Sequence, residues 1–112
     1  MANVEGHELG ENKILLTDSG NVLYNISTDF ISVQFDIDGT TANNVSGGKA
    51  NEVDWILHSS DSTVIGFHMH NKAITDDLGI LLKLDLDGEA TGLSNIICMD
   101  SDKNIINVTY NN

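Results

Sequence analysis

The sequence predicts an all-β domain, a sandwich or barrel of eight or nine short strands, and three observations carry that expectation. Residues 30–39 alternate: Ile31, Val33, Phe35 and Ile37 are apolar, with Ser32, Gln34, Asp36 and Asp38 between them. A period of two marks a strand with one face in a core and one in water. Turn-forming clusters of Gly, Asn, Asp and Ser recur at spacings of about ten residues, as in sandwiches and barrels. No stretch keeps a helical period for longer than a turn or two.

In chain order, residues 1–12 hold two glycines, three glutamates and scattered apolar residues, and are expected to form an extended arm. Residues 13–112 form the single sandwich domain. Residues 13–17 and 22–27 are the first two strands, joined by the turn Asp18-Ser19-Gly20-Asn21. The alternating strand at 30–38 follows and ends at Gly39. Residues 40–50 contain Ser46-Gly47-Gly48, suited to a bend or bulge that needs no packed side chains. Residues 53–58 form a strand with Trp55 and Leu57 on one face. A hairpin through Ser59-Ser60-Asp61-Ser62 leads to residues 63–70, where Ile65, Phe67 and Met69 share a face. Residues 80–87 alternate with Ile80, Leu82, Leu84 and Leu86 inward, a pattern that does not account for Leu81. Residues 93–99 and 105–110 complete the set. The expected core includes Ile31, Val33, Phe35, Ile37, Ile65, Phe67, Leu82, Leu84 and Ile96.

Composition narrows the partners. A chain of 112 residues is one domain that buries roughly two-thirds of its unfolded surface. Seventeen acidic residues against five lysines, with no arginine, give a net charge of -12. Nucleic acid and anionic membranes both require a basic face, so neither is an expected partner. Cys98 is the single cysteine, which fits a reducing compartment. The N-terminus lacks the basic-then-apolar pattern of a signal peptide, so synthesis in and for the cytosol is expected. The sequons at Asn25, Asn44 and Asn107 are then chance. Proline is absent, leaving charge and bulges to protect strand edges.

Several stretches together resemble a family. They are Val33-Gln34-Phe35-Asp36-Ile37 with Ser46-Gly47-Gly48-Lys49-Ala50, then Thr63-Val64-Ile65-Gly66-Phe67, Gly79-Ile80-Leu81, Leu93-Ser94-Asn95-Ile96 and Asp100-Ser101. In that order, over residues 22–108, they look like the cohesin-like β-sandwich modules of marine bacterial surface proteins and phage virion structural proteins. The resemblance implies a jelly-roll-type (cohesin-like) sandwich of antiparallel strands that serves as a docking surface rather than an enzyme. Unlike the larger surface proteins, the chain is expected to be a single module without a dockerin-like segment.

Candidate chemistry is sparse. His68 and His70 on one strand face would lie about 7 Å apart, with His58 on the paired strand as a third nitrogen for zinc or copper. A solvated strand face that happens to carry histidines explains them equally, and no resident metal is expected. Asp100, Asp102 and Asn104 match the first positions of a calcium loop, but Ile105 replaces its glycine and Asn111 its final glutamate. Asp36-Ile37-Asp38-Gly39 and Asp85-Leu86-Asp87-Gly88 read as strand ends running into turns. Asp76-Asp77 and the serines of residues 59–62 have no base or orienting group beside them. Cys98 reads as a small buried apolar residue, and Trp55 as core rather than a sugar platform.

The sequence therefore predicts a non-enzymatic virion structural protein without cofactor, a capsid decoration or cement protein of a phage. Its expected partner is the major capsid protein or another virion protein, and a homo-oligomer such as a trimer is expected. The arm would supply the contacts through Val4, Leu9, Glu5, Glu8 and Glu11, ordering by strand addition. The alternative is a cohesin-like adhesion module that binds carbohydrate or protein.

Overall fold

The computed structural model describes residues 10–17, 19–76 and 78–110. Among them are ten strands and one short helix. The strands are β1 (Lys13–Leu16), β2 (Asn21–Asn25), β3 (Phe30–Asp38), β4 (Ala42–Ser46), β5 (Ile56–Ser60), β6 (Thr63–Phe67), β7 (Leu78–Leu86), β8 (Gly92–Asp100), β9 (Ile105–Ile106) and β10 (Thr109–Tyr110). The helix, α1, spans Gly48–Glu52. The strands form a sandwich of two five-stranded sheets. The first runs β10-β1-β2-β7-β4 and the second β5-β6-β3-β8-β9. Every pairing is antiparallel except β1 with β10, which run parallel.

The all-β sandwich expected from the alternation is thus the observed fold. Four segments differ from expectation. The strand expected at 53–58 is β5, which begins after Trp55 and takes in Ser59 and Ser60 of the expected turn, and the strand expected at 63–70 ends at Phe67. Residues 40–50 are not only a bend: they contain β4, paired with β7, and then α1. Gly48 makes the turn into α1 possible, since its φ is +70° and a Cβ there would stand 2.5 Å from the Leu81 carbonyl oxygen. The stretch expected as one strand at 105–110 is two, because Ile105–Ile106 join the second sheet and Thr109–Tyr110 cross to the first.

The core lies between the sheets. Ile31, Val33, Phe35, Ile37, Leu82 and Leu84 are buried as expected, and Ile96 is half-buried against the core. Tyr24, Phe30 and Trp55 form its aromatic line, with edge-to-face contacts at 5.5 and 5.8 Å. Their polar ends reach the loop before β7: the Tyr24 hydroxyl donates to the Asp76 carbonyl at 2.8 Å, and the Trp55 indole N–H to that of Lys72 at 2.7 Å. Ile74 in the same loop exchanges both backbone hydrogen bonds with Phe30.

Ile65 and Phe67 are not core residues. On β6 it is Val64 and Gly66 that point inward, leaving Ile65 half-exposed and Phe67 exposed. The cause is Trp55. A Cβ on Gly66 would stand 2.9 Å from a Leu57 methyl and 3.2 Å from the indole ring, so the ring occupies the space that an inward side chain would need. Leu81 also finds its place. A bulge, in which Val22 pairs with Leu82 but Leu23 with Ile80, lets both Leu81 and Leu82 face the core. The same slip leaves Ile80 only half-buried, against the expectation that it points in.

Candidate functional site

Because β6 turns Val64 and Gly66 inward, its larger apolar side chains line the outside of the second sheet. The register there assembles rows. Ile56 pairs with Phe67, Phe67 with Ser32, Ser32 with Met99, and Met99 with Ile105, so one row crosses all five strands. Behind it stand His58, Ile65, Gln34 and Ile97, again in register. A third row holds Ser60, Thr63, Asp36 and Ser94. The large hydrophobic residues exposed among the described residues are Ile56, Phe67, Met69, Ile97 and Ile105. Four belong to these rows, and Met69 follows directly after β6.

The face is also nearly uncharged. Counting histidine as neutral, Asp36 is the one formal charge on the three rows, in a chain of net charge -12. Asp36 is hydrogen-bonded at both oxygens, accepting from the Asn95 amide and the Thr63 hydroxyl, each at 2.8 Å. Those two bonds, Asn95 first, hold its carboxyl below the ordinary carboxylate range. Neighbouring Asp38 accepts from the Ser94 hydroxyl at 2.7 Å. Asp29, Asp54, Asp61, Asp87, Asp100 and Asp102 lie in or beside the turns rather than on the rows.

The His68 and His70 rings stand 5.8 Å apart, but not on a strand face as expected. β6 ends at Phe67, so His68 and His70 lie in a turn, not on a strand face. There the His70 backbone N–H donates to His68 Nδ1 at 2.9 Å, a bond local to the turn that occupies one of the two ring nitrogens. His58 stands apart on β5. Among the described residues no group of three or more His, Cys, Asp or Glu is arranged to hold a metal ion. In the Asp100–Asn104 turn, Asp100 Oδ1 accepts from the backbone N–H of Asp102 and of Asn104, both at 2.9 Å. This carboxylate closes its own turn. Cys98 faces the core, and burial pushes its thiol up to about 12, with Asp100 adding to the shift. Such a thiol is no nucleophile at neutral pH.

Of the arm residues, Val4, Glu5, Glu8 and Leu9 lie outside the described residues. Glu11 accepts a hydrogen bond from the Ser27 hydroxyl at 2.6 Å, and the Asn12 backbone N–H donates to the Asn25 carbonyl at 2.7 Å. A separate cleft of about 570 Å³ opens at one end of the sandwich. Leu16, Leu86, Ala90 and Tyr110 form its apolar part, with Thr17 and Glu89 among its polar residues. The Tyr110 hydroxyl accepts from the Leu16 N–H at 3.3 Å, and the ring edge lies against Gly92.

Sequence reasoning missed the nearly uncharged sheet face because it assigned β6 the opposite orientation. The signal lay in Gly66: a glycine inside a strand marks a close approach, and the nearby Trp55 needs room. No family description, curated protein or solved structure matches the chain.

Proposed function

We propose that the protein is a non-enzymatic structural subunit of a larger protein assembly, and that the assembly is a virion on which it acts as a capsid decoration or cement protein. The observation that carries this reading is the outer face of the second sheet. An acidic protein that leaves Ile56, Phe67, Ile97 and Ile105 in water on one nearly uncharged face keeps a surface of the kind that protein contacts cover. The acidic turns around the sandwich complement a basic capsid surface and would speed and orient attachment. The arm ahead of the sandwich is proposed as the anchor on the particle, and the cohesin-like, jelly-roll resemblance accords with a docking role. The virion reading rests on that resemblance and on the acidity of the chain.

Purification of intact particles from producing cells tests it. The chain should copurify in a fixed ratio to the major capsid protein and be lost when residues 1–12 are deleted. Absence from particles would refute the reading.

A second reading, an adhesion module that binds carbohydrate, is favoured by the cleft beside Tyr110. An aromatic ring with threonine and carboxylate groups nearby can stack on and hydrogen-bond a sugar. Binding of glycans by the isolated protein, abolished in Tyr110→Ala, would decide for it.

A further inference from the structure

We propose that the outer face of the second sheet is the contact between two copies of this chain, packed face to face about a twofold axis. The inference rests on the preceding reading only in taking this face as an assembly surface.

Three features favour a second copy as the occupant. The first is shape and register. Take a twofold axis lying in the interface and running across the strands, between the first and second rows. Each first row then meets its partner's second row, so Phe67 meets Ile65 of the other copy and Met99 meets Ile97. Two pleated faces packed this way repeat the inner packing of a sandwich, with sheets ~10 Å apart.

The second is charge. Two bodies of net charge -12 repel one another wherever their acidic turns meet. The first and second rows carry no carboxylate, so two copies can touch there; only at the edge of the contact does Asp36 approach the partner's Phe30–Asp100 level. A basic partner, in contrast, would be drawn to the turns, and the face offers it almost no charge to pair with.

The third is area. The overlapping first and second rows, five strands ~4.8 Å apart and about four residues of ~3.3 Å each, span roughly 300 Å² in projection. Two such faces, with their side-chain relief, bury on the order of 800 Å², the size of a weak, transient contact. The dimer is accordingly weak and concentration-dependent.

Sedimentation velocity of the full chain from ~1 μM to ~1 mM tests this. A monomer–dimer equilibrium is expected, and it should tighten between ~20 and ~300 mM NaCl, because salt screens the repulsion and the contact has no ion pairs to weaken. Ile97→Asp should raise the dissociation constant at least ~100-fold. Ile105→Asp, at a residue 70% exposed whose side chain lies outside the core, should raise it by roughly tenfold or more. Asn44→Asp adds the same charge on the other sheet and should leave dimerisation within about twofold. Thermal unfolding confirms that each variant is folded, and Ile105→Asp alone serves if Ile97→Asp is not. A monomer throughout, a trimer, salt-weakened association, or a dimer indifferent to Ile105→Asp would overturn the proposal. A persistent dimer that never copurifies with particles sinks the virion reading alone; a monomer that does copurify sinks this inference alone.

Discussion

Phe35 and Gln34 are neighbours in β3 with opposite surroundings. Phe35 is fully buried between the sheets, while Gln34 stands in the second outer row. Phe35→Ala leaves a ring-sized cavity and should cost about 3–5 kcal/mol in urea unfolding. Gln34→Ala removes an exposed side chain and should cost less than about 0.5 kcal/mol. Equal losses would put the strand in the wrong register. Asp36 makes a pH prediction. Its hydrogen bonds from Asn95 and Thr63 favour the ionised form and lower its folded-state pKa. Their contribution is therefore present above the ordinary carboxylate pKa and disappears as pH falls through the lowered folded value. Asp36→Asn should be less stable than the native chain at neutral pH, with the difference narrowing in acid. A difference that widens in acid would contradict the assignment. The residue is half-buried at the sheet surface and in reach of solvent screening, so the effect is small.

At the scale of the strands, the sandwich was legible where alternation was clean. β3 shows its buried set directly in Val33, Phe35 and Ile37, because a polar residue follows each. β6 does not: its inward residues are Val64 and Gly66, and its outward ones include Ile65 and Phe67. Hydrophobicity alone selects the larger set, whereas the core selects the set that leaves room for Trp55. β7 hid its pairing for another reason. A bulge shifts the period by one, and Leu81 then reads as an exception to a pattern it belongs to. β4 and α1 escaped notice because Asn43, Asn44, Gly47 and Gly48 carry turn chemistry, while the pairing of β4 with β7 is a long-range contact. The orientation of β6 can be tested at Gly66. Gly66→Val should cost about 1–3 kcal/mol through overlap with Leu57 and the Trp55 ring, and should change the near-ultraviolet signal of that tryptophan. A silent substitution would mean that Gly66 faces solvent and the outer rows are misassigned.

At the scale of the molecule, the sequence carried the acidity and the fold class, but the sorting of charge came only with the three-dimensional register. Asp54, Asp61, Asp87 and Asp102 lie at or beside the turns, while isoleucines far apart in sequence, Ile56, Ile97 and Ile105, meet on one face. A surface made by cross-strand pairing has no local signature until each strand's orientation is known. The His68–His70 pair shows the converse: a spacing that suggests a site on an ideal strand lies in a turn, because β6 stops at Phe67.

The central claim is that this face is covered when the protein assembles. Hydroxyl-radical footprinting at low and high protein concentration tests it most directly, using side chains as reporters. Phe67 and Met99 should become protected as concentration rises, while Tyr110, beside the cleft at the end of the sandwich, should react equally throughout. Unchanged reactivity of Phe67 and Met99 with protection at Tyr110 would contradict the claim and move the contact to the cleft.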